Sequence, residues 1–407
     1  MMATLGERIR KLRKEKGLTL QALAGEGLSK GMLSLIENNK ANPSMESLSH
    51  IARQLGIERN ELLEEVPAAE LRNLLEEIEE LYRTGEHEET LTNFKKIAQK
   101  IHPYLEVLPF CYESARLLEL YSRCSYYTKL HEWQHPLTRA EEIYEGLHLI
   151  NHSADIHMFR ALIKFTEHSY LEALEMLQDS RRIIKAKAGE LDPLKRLDFD
   201  YYEAVLYSAT GDTENSRRIM DEAIVYSKKH QIFYRINALY RMAGFQAILN
   251  GDEDQKNYYI GKLRLFADFS EDREIESFAD AIEIHYLTSF VHDYEKADQL
   301  LESDQNRSSE NQSFYFLEKG KILYHQGRFQ EALTLLEKHE VSEFMHHPFD
   351  LSMHYEKEAY MALAHEELGQ HEMALKFAQL AKDNIETMPD LPYKTFILDV
   401  HRQINHQ

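Results

Sequence analysis

Hydrophobic residues recur at α-helical spacing along nearly the whole chain. Leu5, Ile9 and Leu12 lie three and four residues apart among charged residues, which predicts an amphipathic first helix that ends near Gly17. Regular alternation of polar and apolar residues, the pattern of a β-strand, is rare, and the 407 residues include only 16 Gly and 9 Pro. The pattern therefore predicts an all-α protein.

Three more short hydrophobic runs follow the first helix, and each is preceded by a residue that commonly caps helices. Thr19, Ser29 and Ser44 are the predicted N-caps of the second, third and fourth helices, and a short fifth helix is expected to run through Leu62. Only a tight turn separates the second helix from the third, which is the plan of a helix-turn-helix. We therefore predict a helix-turn-helix domain over residues 1–65.

The amino-acid sequence of residues 4–63 also points to a specific family. The segments IRKLRKEKGLTLQALA, LSKGMLSLIE and PSMESLSHIARQLGI closely resemble the Xre family, the λ-repressor-like DNA-binding domains. The resemblance implies that Gln21 and Ser29–Ser34 face the major groove of double-stranded DNA. Domains of this plan normally act as dimers on two-fold sites, so a homodimer is expected. A helix-turn-helix used only for dimerisation or protein contacts is the alternative.

Electrostatics supports the same residues as the DNA-contacting surface. The N-terminus of a recognition helix presents free N–H groups to a phosphate. Lys30 and Ser34, four residues apart, share one helical face, and the polar residues after the helix are expected to reach backbone phosphates. The predicted DNA-contacting residues are Gln21, Ser29, Lys30, Gly31, Ser34, Asn38, Asn39 and Lys40.

Two further features of this segment follow from the resemblance. Glu37 is expected to be a structural residue that pairs with an arginine of the first helix, Arg10 or Arg13. Leu35 stands where the family usually has a polar residue able to read a base edge, and Gly31 has no side chain. Contact between Leu35 and a thymine methyl group, together with readout of DNA shape, is the expected compensation.

Charge is divided unevenly along the chain. Residues 1–62 carry ten Lys and Arg against seven Asp and Glu, a net charge of +3, whereas the remainder carries 38 against 62, a net charge of −24. The acidic remainder is expected to repel phosphate backbones, and the basic beginning is not. The two cysteines match no metal or redox spacing, and no stretch is apolar enough to span a membrane, so a cytoplasmic protein is expected.

Self-similarity is the main feature of the remaining residues. Similar turns begin at His168, Gly211, Gly251, His292, Gly327 and Gly369, 35 to 43 residues apart, and Gly85 begins a further candidate turn. The residues seven before these turns are Ala161, Ala204, Gly244, His285, Gly320 and Ala362, of which all but His285 are small.

Small residues at this position allow two antiparallel helices to approach closely. The pattern resembles tetratricopeptide repeats, which implies a right-handed superhelix with a concave inner surface over residues 70–407. This region is the predicted sensor and dimerisation domain. Residues 90–150 fit the repeat least well, and irregular helical bundles remain the structural alternative.

An Xre-type domain followed by long repeats resembles the peptide-pheromone receptors of Gram-positive bacteria and their phages, the Rap/NprR/PlcR/PrgX group. The resemblance implies a transcriptional regulator, and not an enzyme, that is controlled by a short signalling peptide in the repeat concavity. A repeat scaffold that tethers a folded protein, such as a response regulator or antirepressor, to DNA is the alternative. The predicted peptide-binding residues are Tyr201, Asn237, Arg241, Phe245, Tyr286, Lys321 and Tyr324.

One motif points to different chemistry. Residues His131–His135 satisfy the H-E-x-x-H pattern of zinc proteases, in which both histidines lie on one face of a continuous helix. Pro136 follows at once and no third ligand is evident, so neither a metal site nor a cofactor is predicted. A metalloenzyme is the third and weakest hypothesis.

Overall fold

The computed structural model describes residues 4–57, 62, 66–83, 87–130, 132–188, 191–303, 309–342 and 344–406. Helices joined by turns and loops make up these residues, and none of them lies in a β-strand, so the predicted all-α class is confirmed. The chain divides into two compact units, Met1–Ile156 and His157–Gln407. The predicted boundary between residues 65 and 70 remains a prediction.

Four short helices open the first unit. They are α1 (Leu5–Glu15), α2 (Leu20–Ala24), α3 (Lys30–Glu37) and α4 (Met45–Leu55). The side chains of Thr19, Ser29 and Ser44 each accept a hydrogen bond from a backbone N–H in the first turn of the next helix, so all three predicted N-caps are confirmed. The predicted fifth helix falls on residues 58–61, outside the described residues.

A small apolar core holds these four helices together. Ile9, Leu23, Leu33, Ile51 and Leu55 are essentially inaccessible to solvent, and they come from all four helices. The spacing that predicted the helices therefore also predicted which side of each faces inward. Leu33 and Ile36 point into this core, and the opposite side of α3 is exposed to solvent.

The rest of the first unit is less regular. It contains α5 (Ala68–Arg83), α6 (His87–Ile101), α7 (Tyr112–Thr128) and α8 (Gln134–Gly146), with a short 3-10 turn at His102–Tyr104 and a loop between α6 and α7. This interruption lies where the sequence fitted the repeat least well. Because α8 begins at Gln134, Glu132 of the zinc-protease pattern precedes the helix, and His131 lies outside the described residues.

Antiparallel helix pairs form most of the remaining described residues. The helices are α9 (Ile150–Thr166), α10 (Tyr170–Ala188), α11 (Pro193–Ala209), α12 (Thr213–His230), α13 (Ile236–Leu249), α14 (Glu253–Ser270), α15 (Arg273–Tyr286), α16 (Tyr294–Ser303), α17 (Ser309–His325), α18 (Phe329–Leu336), α19 (Pro348–His354), α20 (Glu356–Glu367), α21 (His371–Ile385) and α22 (Pro392–Asn405). A π-helical turn, Leu287–Val291, extends α15.

All six turns expected from the sequence lie between the two helices of a pair. The first residue of each has a positive φ, from +59° to +83°, whether it is glycine or, at positions 168 and 292, histidine. The six residues seven positions earlier are all buried. At Gly320 the reason is direct, because a Cβ atom there would lie 2.5 Å from Cδ2 of Leu336. The repeat organisation is therefore confirmed at the level of individual residues.

Candidate nucleic-acid interface and ligand groove

An ion pair fixes the end of α3 to α1. Nε of Arg13 donates to Oε1 of Glu37 at 2.6 Å, and Nη2 donates to Oε2 at 3.0 Å. The Glu37 side chain is 3% exposed, and its hydrogen bond raises the pKa of Arg13. The pairing expected for Glu37 is therefore made by Arg13, whereas Arg10 is exposed to solvent.

Asn39 forms a second link between α3 and the start of α1. Its Oδ1 accepts a hydrogen bond from the backbone N–H of Gly6 at 3.2 Å, and its Nδ2 donates to the hydroxyl of Thr4. The backbone of Asn39 has a φ of +57°. Asn38 is also engaged, because its Nδ2 donates to the carbonyl oxygen of Ser34 at 2.7 Å. The structure therefore gives both asparagines of the predicted DNA-contacting set a role within the chain.

The other predicted DNA contacts lie at the surface of the same helices. Gln21, Lys30 and Lys40 are exposed, as are Ser29 and Gly31, and Ser34 is half-buried. Ser29 acts as the N-cap of α3 through its hydroxyl. Met32 lies within the range Ser29–Ser34 but was not among the predicted contacts, and its side chain is 43% exposed on this helix.

A cavity of about 310 Å³ lies in the second unit. Residues from α9 to α13 line it, together with the segment 344–350, which precedes and begins α19. Three of the predicted peptide-binding residues, Tyr201, Arg241 and Phe245, lie in its wall. We call this cavity the groove.

Arg241 and Asp350 are the groove's charged side chains. The Arg241 guanidinium lies over the ring of Phe278, 3.2 Å from the ring centroid, and among the described residues it forms no ion pair. Burial lowers the pKa of Arg241. Burial also raises the pKa of Asp350, and the positive charges of His347 and Arg241 oppose that rise. The groove thus offers a cation without a bonded counter-ion in an otherwise largely aromatic and aliphatic wall.

The chain's own segment 344–350 was not foreseen as part of the groove. The Tyr170 hydroxyl donates to the carbonyl oxygen of His346 at 2.8 Å, and the ring of Phe349 lies edge-on to that of Phe245 at 5.2 Å. The cluster of aromatic and histidine residues before Pro348 is the signal in the sequence that could have indicated it.

The remaining predicted peptide-binding residues lie outside the groove wall. Asn237 accepts a hydrogen bond from the N–H of Ala238 at 2.8 Å. Tyr286 stacks on the ring of Phe290, and Tyr324 lies edge-on to the ring of Tyr360. Lys321 is fully buried, and its ammonium group donates to Glu318 at 3.1 Å and to Glu356 at 2.5 Å. These contacts explain how the four side chains are held within the fold.

Two features are absent from the described residues. Across the described ranges, no group of three or more His, Cys, Asp and Glu side chains is arranged to hold a metal ion. None of the helices in the part of the chain that the structure describes is long and apolar enough to cross a bilayer.

Comparison with known proteins locates the relatives of the first helices. Residues 6–66 match the helix-turn-helix domain family. A stretch of 63 residues, 15% of this chain, is 44% identical to the HTH-type transcriptional regulator DdrOP3 of Deinococcus deserti and 41% identical to the HTH-type transcriptional regulator SinR of Bacillus subtilis. The chain thus spans about half the length of these relatives, 49% and 57%.

Solved structures match over a longer part of the chain. Bacillus thuringiensis PlcR, solved with the peptide PapR7 and DNA, is 18% identical with a TM-score of 0.38, covering 69% of this chain and 99% of that one. The apo form of the competence regulator ComR from Streptococcus vestibularis is 19% identical with a TM-score of 0.35, covering 68% of this chain and 96% of that one.

The family match and the four capped helices together make residues 6–66 a helix-turn-helix domain, as the Xre-type resemblance implied.

Proposed function

We propose that the protein is a DNA-binding transcriptional regulator whose second unit binds a short signalling peptide in the groove. The helix-turn-helix domain over residues 6–66 carries the DNA half of the proposal. Within it, Ser29 caps the N-terminus of α3, and one side of α3 is exposed to solvent. We further propose that it acts as a homodimer, because domains of this plan normally bind two half-sites related by a two-fold axis.

Charge supports DNA as the partner of the first helices. Lys30 and Lys40 are exposed at the two ends of α3, and the first 62 residues carry a net charge of +3. The N-terminus of α3 adds backbone N–H groups and the positive end of a helix dipole. These groups suit phosphate oxygens, and the strongly acidic remainder of the chain does not.

Chemistry and size support a peptide as the ligand of the groove. A volume of about 310 Å³ is at the lower end for ligand sites, enough to bury a few side chains. Tyr201 and Phe245 provide aromatic surface for apolar side chains. Arg241 has the planar donor geometry that binds a carboxylate in two hydrogen bonds. A short peptide that ends in an apolar residue and a free carboxylate combines these features.

A salt titration tests the DNA half. The full chain is titrated with a fluorescent duplex pool at several salt concentrations, and the logarithm of the affinity is expected to fall linearly with the logarithm of the salt concentration. The variant Lys40→Ala should lower the slope by about 1, while Lys229→Ala, an exposed lysine of α12, should leave it unchanged. Binding that is absent, or insensitive to salt, contradicts the DNA proposal.

A peptide library tests the ligand half. Heptapeptides with apolar C-terminal residues are screened by thermal shift in two forms, one with a free carboxylate and one amidated. The free-carboxylate form is expected to raise the melting temperature of the full chain, and Arg241→Met should remove the difference between the forms. If no peptide stabilises the chain and a folded protein partner co-purifies in stoichiometric amount, the scaffold alternative replaces this half.

A further inference from the structure

The outward face of α3 is apolar where a recognition helix usually carries polar side chains. Leu33 and Ile36 point into the core, whereas Met32 and Leu35 are each 43% exposed. Residues three apart on a helix are neighbours on its surface. Met32 and Leu35 therefore form one continuous exposed patch, which we call the apolar face of α3.

Few polar groups on this helix remain available for reading bases. Ser34 is the one polar side chain between positions 31 and 36, and it is half-buried. The amide nitrogen of Asn38 donates to the Ser34 carbonyl, and the Asn39 side chain is bonded at both ends to the start of α1. Between positions 31 and 36, no side chain can therefore form the paired hydrogen bonds to guanine or adenine that are the usual base readout.

The surroundings of the apolar face favour DNA over a protein as its occupant. Lys30 lies just before it and Lys40 soon after it, and both are exposed. Residues 4–57 carry nine Lys and Arg against five Asp and Glu. The cores of protein interfaces are depleted of charged residues, and of lysine in particular. Two apolar side chains flanked by cations suit a surface that is anionic overall and locally apolar.

The major groove of DNA has one such feature. Among the base edges exposed there, thymine presents a methyl group at C5, and the other groups are hydrogen-bond donors and acceptors. We propose, on the basis of the DNA binding proposed above, that Met32 and Leu35 recognise the C5 methyl groups of thymines. The specificity of this protein then depends on methylated pyrimidines more than on hydrogen bonds to bases.

Removal of the C5 methyl group from thymines in the DNA tests the proposal. The full chain selects duplexes from a library with a random core, and the enriched sequence is synthesised with thymine and with uracil, which lacks only the methyl group. Affinity is expected to fall about fourfold for each contacted thymine that is replaced. Equal affinity for the two duplexes overturns the proposal while leaving DNA binding intact.

Variants of α3 show whether the side chains cause the difference. Leu35→Ala is expected to weaken binding to the thymine duplex and to reduce the ratio of thymine to uracil affinities, whereas Leu35→Met should retain most of that ratio. Both changes are at an exposed position, so circular dichroism should show an intact fold. Leu265→Ala, at a residue of α14 that is 64% exposed, is the matched control and should bind like the parent.

The outcomes separate this inference from the function on which it rests. If the full chain binds no duplex at all, both the DNA proposal and the thymine inference are wrong. If it binds and discriminates thymine from uracil, but Leu35→Ala and the parent show the same ratio, the discrimination arises from DNA shape and the inference alone is wrong. Loss of the ratio in Leu35→Ala and its retention in Leu35→Met is the supporting result.

Discussion

The helix-turn-helix domain and the second unit treat buried charge differently. In the helix-turn-helix domain one bidentate pair, Arg13 with Glu37, lies at the edge of a small apolar core. In the second unit a network of five charged or titratable side chains is buried, and three of them, His285, Glu318 and Lys321, are 0% exposed. The short domain thus joins two helices through the ion pair of Arg13 and Glu37, while the longer unit uses a network to join several repeats.

The enclosed network begins where the repeat pattern fails. His285 occupies a position that is small in the other five repeats, and its Nδ1 and Nε2 lie 2.8 Å from Oε1 of Glu318 and from the hydroxyl of Tyr393. Lys321 bridges Glu318 and Glu356. Side chains from α15, α17, α20 and α22 are therefore connected through bonds that a small residue would not make. The attraction of Lys321 and His285 lowers the pKa of Glu318 despite its burial.

The variant Lys321→Met tests the contribution of the buried network to the stability of the second unit. The change leaves two carboxylates buried without their cation, so we expect the free energy of unfolding of the second unit to fall by about 4 kcal/mol. Urea denaturation with hydrogen exchange resolved by segment measures it. Arg402→Ala removes an exposed pair with Asp399 and should change that free energy by less than about 0.5 kcal/mol. A loss of similar size in both variants contradicts the account.

The corresponding change in the helix-turn-helix domain is Arg13→Ala. Glu37 would remain buried without a partner, and we expect a loss of about 3 kcal/mol in the stability of this domain. Arg10→Ala, at an exposed residue of the same helix, should lose less than about 0.5 kcal/mol. Hydrogen exchange of residues 4–57 is the measurement, and equal losses for the two arginines would show that the ion pair is not the link we describe.

Acidification tests a second enclosed pair in the second unit. His339 and His354 lie with Nε2 and Nδ1 2.7 Å apart, and burial lowers their pKa values to about 3 and about 4. Because the unfolded chain binds protons near pH 6.5 and the folded chain does not, this contribution to stability is complete above that pH and is lost as the pH falls toward 4.

We expect the second unit to lose at least about 2 kcal/mol between pH 6.5 and pH 4 from this pair. The variant His354→Gln should flatten that dependence, even if it lowers stability at neutral pH. Denaturation curves at half-unit intervals of pH provide the measurement. A parent and variant with parallel pH profiles would assign the acid sensitivity to other groups.

Two glycines give the smallest effect and the closest matched pair. Gly320→Ala forces a methyl group onto the buried Leu336, and we expect a loss of about 2 kcal/mol. Gly244→Ala occupies the same repeat position, but the nearest atom there is Cβ of Tyr259 at 3.8 Å. This change should be neutral or stabilise the helix by up to about 1 kcal/mol. Thermal denaturation separates them, and the reverse order would mean that the helix packing differs from that described.

Local features of this fold were predictable from the sequence. Capping residues such as Ser29, turn residues such as Gly211 and small positions such as Ala204 act through short-range sterics and hydrogen bonding, so a single sequence reports them. Arg13 was one of two arginines that the resemblance allowed, and the choice between them needed three dimensions.

Features that depend on distant residues were not predictable. Lys321 was expected to face a ligand, but Glu356, 35 residues away, encloses it. The groove wall at His346 depends on Tyr170, which is 176 residues distant in the chain. Periodicity identifies the side of a helix that faces a neighbour, and it does not identify which charged residue of that neighbour is present.

A hydrogen-exchange footprint of the full chain tests the division of work between the two units most directly. We predict that a bound duplex slows exchange in residues 20–40, around α2 and α3, and that an apolar heptapeptide with a free C-terminus slows exchange in the segments that form the groove, around Tyr201, Arg241 and residues 344–350. Protection of the groove segments by DNA, with no protection of residues 20–40, would contradict the account.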